Sequence, residues 1–373
     1  MRWSLFCRVV DNFGDIGVCW RLARQLQQEY GQNVTLWVDD VAALARIAPT
    51  AAPLEANQNL DGVQVRHWSV NAHPADDADV VIEAFACEIP ASMLAAMRTR
   101  ATAPLWLNLE YLSAEDWVTG CHALASPQGG GLNKYFFFPG FVAGTGGVIG
   151  EEQARQARAR WSVQERGAWL TALGVANPTA LTLSLFAYEN PALAALIQQI
   201  AATQEPVNLL VPEGRVLPEL AKTLGLPALQ AGQHHQLGAL NIHILPMVAQ
   251  PDYDRLLWSC DLNFVRGEDS FVRAQWAARP LVWHIYPQDD AAHEAKLVAF
   301  LKLYTTGWDE YRASRLAAFW FGWNRRELAA GAWADLREML PQAQQYAAAW
   351  ATHLESLGNL AANLVSFAKD KLK

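Results

Sequence analysis

Short apolar runs alternate with stretches of helical period along the whole chain. Residues 3–10 (WSLFCRVV) are β-rich and close at the turn pair Asp11-Asn12. Over 18–30, Val18, Leu22, Leu26 and Tyr30 recur at i, i+4, and Gly31 follows as a stop. NVTLWV (33–38) is the next strand, and VVIEAF (80–85) and PLWLNLEYL (104–112) read as two more. The Gly-rich, aromatic residues 128–141 and the GTGG at 144–147 break the pattern and predict long loops near a domain edge. Residues 151–172 are polar and helical.

The alternation then resumes. Strands are predicted at 180–188, 207–212, 241–248, 262–266 and 280–287, with helices at 191–202 and 271–279. Residues 291–304 and most of 310–371 are helical. Buried strands alternating with helices predict parallel sheets covered on both faces. Two α/β domains in tandem with a helical tail result, and ligands belong beyond the carboxyl ends of the strands.

Composition supports this picture. At 373 residues the chain suits about two domains, and 52% hydrophobic against 18% charged residues excludes disorder. A formal net charge of −8 without a basic stripe argues against a nucleic-acid binder. The five cysteines are scattered, with no CxxC pair, which fits a reducing compartment and no zinc site. The N-terminus lacks a signal-peptide pattern, and no apolar run reaches the ~18–20 residues that span a bilayer. A cytoplasmic protein that crosses no membrane is expected.

Three segments carry candidate chemistry. In DNFGDIG (11–17), Gly14 and Gly17 allow a tight turn after the first strand, and Asp11 and Asp15 place two carboxylates at its carboxyl end. The alternative is that Asp15 caps the helix and Asn12 serves the turn. The segment lacks GxGxxG, so a dinucleotide does not belong there. In RGEDS (266–270), the start of a helix offers N–H groups to a diphosphate, and Glu268 can accept from a hydroxyl; the alternative is that Asp269 or Ser270 simply caps the helix. Phe186 and Tyr188 end a strand, and Tyr253 lies in a loop just past Gln250, so rings from two loops could sandwich a base or simply be core. Other polar groups read more plainly: Asp77-Ala78-Asp79 as a solvated turn, His234-His235 as a loop, Gln288 and Asp289 as a strand end that could touch a sugar, and 110–115 as a strand end with a Ser113 cap.

The segments at 11–26, 36–40, 107–115, 265–277 and 283–289, in this order, resemble the EarP family of protein-arginine rhamnosyltransferases that act on bacterial elongation factor P. The resemblance implies an α/β GT-B glycosyltransferase fold: two Rossmann-like domains facing across a cleft, with a C-terminal helix returning toward the first. It implies an acceptor domain at 1–165, a donor domain at 166–350 and the returning helix at 351–373. It implies inverting transfer of L-rhamnose from dTDP-β-L-rhamnose to one arginine of elongation factor P, for rescue of ribosomes stalled at proline runs; no metal or other cofactor is expected, since a helix N-terminus and an arginine can serve the diphosphate. Asp15 falls on the family's general base and Asp11 on the support for the guanidinium, with Asn12, Phe13, Gly14 and Gly17 in the same motif. Phe186, Tyr188, Gln250, Tyr253, Arg266, Glu268, Asp269 and Ser270 fall on donor-binding positions; Tyr253 stands where some relatives have Phe. A transferase with another dTDP-sugar or acceptor, or a non-catalytic nucleotide-binding partner of elongation factor P, is the alternative.

Overall fold

The computed structural model describes residues 1–10, 14–69, 77–287 and 292–373. The chain divides into two compact units, Met1–Glu152 with His353–Lys373, and Gln153–Thr352. This division falls earlier than residue 165.

The first unit is built from β1 (Arg2–Cys7), α1 (Gly14–Gln28), β2 (Asn33–Val38), α2 (Val41–Ile47), β3 (Asn57–Leu60), β4 (Val63–His67), β5 (Val80–Ala84), α3 (Ala91–Thr99), β6 (Leu105–Leu109), α4 (Val118–Cys121), β7 (Ala125–Pro127) and β8 (Asn133–Phe137). Its sheet runs β3-β4-β2-β1-β5-β6-β8-β7, parallel except for the β3–β4 and β7–β8 pairs at the edges. The parallel strands therefore follow the doubly wound order, with the switch point between β1 and β5. Full burial of β5 and β6 on both faces explains their continuous apolar runs. At the end of α1, Gly31 takes φ +61°, and Gly31 and Gln32 donate to the Gln27 and Leu26 carbonyls at 3.1 and 3.0 Å. This is a left-handed stop that only glycine adopts without cost.

The second unit holds α5 (Glu152–Arg160, its first residue in the first unit), α6 (Val163–Ala172), β9 (Leu181–Leu185), α7 (Ala192–Ala201), β10 (Val207–Pro212), α8 (Leu217–Thr223), β11 (His234–Leu237), β12 (Leu240–Leu245), α9 (Gln250–Ser259), β13 (Leu262–Arg266), α10 (Asp269–Trp276), β14 (Leu281–His284), α11 (Ala292–Tyr304), α12 (Glu310–Asn324) and most of α13 (Ala332–Ser356). Its sheet runs β11-β12-β10-β9-β13-β14, parallel except at the β11 edge, with the switch point between β9 and β13. Tryptophans supply much of its interior: Trp283 stacks on Phe271 at 3.9 Å, and Phe300 meets Trp320 and Trp350.

Helix α14 (Leu360–Lys371) packs on α1 within the first unit. Asn359 caps it by accepting from Ala362 N–H at 2.9 Å and is bonded to the Tyr30 hydroxyl, while Asn363 donates to the Gly146 carbonyl at 3.0 Å. The GTGG segment is thus the seat of the last helix.

Several expectations are corrected. The first strand ends at Cys7 rather than at residue 10. Residues 128–141 are not all loop: β8 lies inside the sheet beside β6, and Gly129, Gly130 and Gly131, all at positive φ, turn the chain from β7 into it. His234 and His235 belong to the edge strand β11. Gln250 and Tyr253 lie in α9 rather than in a loop. Asp77 and Asp79 do lie at the solvated surface, as expected, and there they ion-pair with Arg2. Among the described residues, no helix is long and apolar enough to cross a membrane.

Candidate active site

In the first unit the loops after β1 and β5 flank the switch point. Asp15 sits in the first turn of α1 and is only 3% exposed. The helix begins at Gly14, so Asp15 lies inside it rather than capping it. Its Oδ2 accepts from Val10 N–H at 2.9 Å, and its Oδ1 accepts from the Tyr111 hydroxyl at 3.2 Å. Gly17 is buried one turn into the same helix. Asp11, Asn12 and Phe13 lie outside the described residues, as do Gln288 and Asp289.

Tyr111, two residues past β6, stacks on Phe85 with ring centroids 4.3 Å apart and planes 15° apart. Phe85, Ala86 and Glu88 all take positive φ, between 52° and 56°. Three such non-glycine residues in one turn carry strain, which a structure keeps only where its surroundings hold it. Here Phe85 N–H donates to Leu109 O (2.7 Å), Ala86 N–H to Asn108 Oδ1 (3.2 Å) and Glu88 N–H to Glu83 Oε1 (3.2 Å). Buried Glu83 is in turn paired with Lys134 at 3.4 Å. This polar frame fixes the aromatic pair against Asp15. Sequence reading placed Tyr111 at a strand end but not in the site; nothing local announces a contact 96 residues away.

The second unit's switch point has the opposite character. Arg266 ends β13, and its guanidinium lies 4.5 Å from the Phe186 ring and 4.8 Å from the Tyr188 ring, both just past β9. These are cation–π contacts in a desolvated place. Gly267, at φ +60°, donates to the His284 carbonyl (3.3 Å), and its own carbonyl accepts from the Trp283 indole (2.7 Å). The turn into α10 is thereby set, with Glu268 at the cap position making no side-chain cap bond. The Ser270 hydroxyl is engaged with the Arg266 backbone, accepting its N–H at 3.0 Å and donating to its carbonyl. Ser270 therefore shapes the loop with its hydroxyl.

Asp269 Oδ2 accepts from Arg273 Nε at 3.1 Å and from Gln250 at 3.4 Å, and Arg273 grips both oxygens of Asp254 at 2.9 Å. Arg273 and Asp254, which sequence reading missed, lock α9 to α10. Gln250 Oε1 and Tyr253 Oη are buried with no hydrogen-bond partner among the described residues. Burial also pushes the Tyr253 phenol up. Phe186 and Tyr253 do come together, but edge-on at 5.6 Å and 61°, so they are not the parallel slot expected for a sandwiched base. Tyr188 instead packs into a cluster with His284 and Tyr286. Burial, with Arg326 and Arg266 nearby, pushes His284 down to about 3, so its imidazole is neutral. Among the described residues no three His, Cys, Asp or Glu side chains gather as metal ligands.

The model of the family described as Elongation-Factor P (EF-P) rhamnosyltransferase EarP matches residues 3–369. A protein-arginine rhamnosyltransferase of Pseudomonas aeruginosa is 53% identical over 373 residues, covering 99% of each chain. A solved structure described as the structural basis for EarP-mediated arginine glycosylation of translation elongation factor EF-P is 37% identical, covers 99% of each chain and gives a TM-score of 0.71. A UDP-glucosyltransferase of Polygonum tinctorium, 10% identical with a TM-score of 0.51 over 99% of this chain and 98% of its own, shares the fold alone. The two sheets are those of a GT-B glycosyltransferase, and the chain belongs to the EarP family of protein-arginine rhamnosyltransferases.

Proposed function

We propose that the chain transfers L-rhamnose from dTDP-β-L-rhamnose to one arginine guanidinium of translation elongation factor P, with inversion at the sugar carbon. One observation carries the reading: equivalent switch points in the two units bear opposite charge, Asp15 in one and Arg266 in the other. A guanidinium needs a carboxylate, and a nucleoside diphosphate needs a cation and a helix N-terminus. The modified factor would serve ribosomes stalled at proline runs, which places the enzyme in the cytoplasm.

The chemistry suits these groups. A guanidinium is a poor nucleophile, with delocalised lone pairs and a pKa above 12. Removing its proton beforehand near neutral pH costs several kcal/mol, at about 1.4 kcal/mol per unit. In this reading a guanidinium nitrogen attacks the anomeric carbon and forms the C–N bond. The bond from that carbon to the diphosphate oxygen breaks, and its electron pair leaves with dTDP. Asp15 takes the nitrogen's proton late in this step, while Asp11 supports the guanidinium. Attack opposite the leaving group turns the β-donor into an α-linked product. Arg266 and the start of α10, with Glu268, Asp269 and the backbone at Ser270, meet the charge growing on dTDP. Phe186, Tyr188, Gln250 and Tyr253 hold the nucleotide. The reading assigns the diphosphate's charge to these protein groups and invokes no metal ion or other cofactor, and no nucleic acid.

The test is intact-mass spectrometry of unmodified elongation factor P incubated with dTDP-β-L-rhamnose and enzyme. Wild type should add one deoxyhexose to a single arginine. Asp15→Asn should lower the rate by about 10³-fold, within the range for a positioned acid or base, with dTDP binding unchanged. Transfer by Asp15→Asn at the wild-type rate would remove Asp15 from the chemistry. Nucleotide binding without transfer by wild type would favour a non-catalytic partner or another acceptor.

A further inference from the structure

We propose that His284 is a donor-site residue, its imidazole N–H donating to a diphosphate oxygen of the bound nucleotide sugar. The inference rests on the donor reading above and adds a group that neither the sequence nor the family resemblance singled out. His284 ends β14 directly opposite Arg266 at the end of β13. In a parallel pair, side chains in register project from one face of the sheet about 4.8 Å apart. Both residues also meet the same Tyr188 ring, Arg266 at 4.8 Å and His284 at 5.2 Å. His284 thus lies at the carboxyl end of the sheet, beside the cation assigned to the diphosphate.

The imidazole is 1% exposed, and neither ring nitrogen has a hydrogen-bond partner among the described residues. Its surroundings explain why. For its N–H the neighbours offer no acceptor: Tyr188 and Trp323 present rings, and the guanidiniums of Arg266 and Arg326 carry donors only. The nearby Asn324 amide is already spent: its Oδ1 accepts from Ile285 N–H, and its Nδ2 donates to the Trp283 and Trp320 carbonyls. A phenylalanine would fill such an apolar place without leaving polar atoms unsatisfied, a defect that costs roughly 1–3 kcal/mol. Retaining that defect beside a binding site is the pattern expected of a group kept for a ligand. A neutral imidazole keeps one N–H donor. A diphosphate oxygen is the acceptor that matches both this donor and the adjacent Arg266.

The experiment is calorimetric titration of dTDP into wild type, His284→Phe and His284→Asn, with melting temperatures for each. His284→Phe should bind dTDP about tenfold more weakly while melting at or above the wild-type temperature. His284→Asn, which keeps an N–H donor, should recover part of the affinity. Wild-type dTDP affinity in His284→Phe would overturn the proposal, as would a loss seen with dTDP-rhamnose but not with dTDP. Should His284→Phe fold poorly, His284→Asn decides: affinity within about threefold of wild type supports the proposal, and loss equal to an Arg266→Ala control without a melting change overturns the hydrogen-bond assignment. Failure of wild type to bind dTDP would instead sink the donor reading itself.

Discussion

The two units share one architecture and bury opposite charges at its switch points. In each, the strands wind outward from a central pair, β1 with β5 and β9 with β13, and the loops past those strands carry the polar chemistry. In the first unit the loops hold a buried carboxylate, fed by a backbone N–H and a tyrosine hydroxyl and fenced by a strained aromatic turn. In the second they hold a buried guanidinium against two aromatic rings, just before the start of a helix. The topology fixes where a ligand goes, and a handful of side chains fixes which ligand goes there. The support differs as well. Hydrogen bonds to backbone N–H groups, backed by the Glu83–Lys134 pair, hold the strained turn of the first site, whereas the chain of ion pairs Asp254–Arg273–Asp269 locks two helices of the second.

That difference in support yields the largest expected effect. Arg273 is buried, and removing it takes the ion-pair partner away from buried Asp254 and from partly buried Asp269. Breaking such a pair from one side costs about 3–5 kcal/mol. Arg273→Leu should lower the unfolding free energy by that amount and weaken donor binding as well, because α9 and α10 lose their lock. Arg21→Leu is the matched control in the first unit: Arg21 is buried and grips Glu151 at 2.7 and 2.6 Å. It should cost comparable stability and leave dTDP affinity intact. Denaturant titration with dTDP calorimetry on both variants separates the cases, and equal loss of dTDP affinity would dissolve the distinction drawn here.

A second expected difference is acid sensitivity. The second unit holds His284, pushed down to about 3, and His243, pushed down to about 4 by burial and by His234. Ordinary histidine titrates near 6.5, so between these values the unfolded chain binds protons that the folded unit refuses. Their contribution is complete above 6.5 and falls away as pH drops, at about 1.4 kcal/mol per unit for the buried His284 and less for His243. At pH 4 the loss from His284 alone is roughly 3 kcal/mol. Hydrogen exchange followed by mass spectrometry from pH 7 to 4 should show the β9–β14 sheet opening progressively. His284→Phe should flatten that dependence; an unchanged slope would mean that His284 is not the group responsible.

How much of this was legible beforehand follows the same physics. The buried parallel strands announce themselves as continuous apolar runs, so β2, β5, β6, β9, β10, β12 and β13 fall close to where the sequence places them. The polar edge strands β3, β7 and β11 do not, because an edge faces solvent and has no apolar period. Candidate residues near strand ends could be read from local motifs, and Asp15, Arg266 and Phe186 stand at switch points. The partners that hold them could not: Tyr111 reaches Asp15, and Arg273 reaches Asp254, only through the fold. Ser270 shows the converse, a residue whose type suggests a ligand contact but whose hydroxyl serves the backbone.

The smallest expected effect tests the frame around the carboxylate. Tyr111 is 40% exposed, yet its ring is fixed by the stack on Phe85, so its hydroxyl meets Asp15 without the usual entropy cost of an exposed side chain. Tyr111→Phe keeps the stack and removes the hydroxyl that donates to Asp15. A hydrogen bond to a charged group is worth about 1.5–3 kcal/mol, and the Val10 N–H still orients the carboxylate, so the loss should lie at the low end, about tenfold in kcat. Donor KM should not move, because the change lies in the other unit. Phe85→Ala should reproduce the kcat loss without touching the hydroxyl, since it frees the ring that aims it. If Tyr111→Phe slows transfer and Phe85→Ala does not, the hydroxyl acts on its own and the strained turn has another reason to exist. If neither slows transfer, the other contacts of Asp15, the Val10 N–H among them, hold it, and the aromatic pair belongs to the packing of the loop rather than to the reaction.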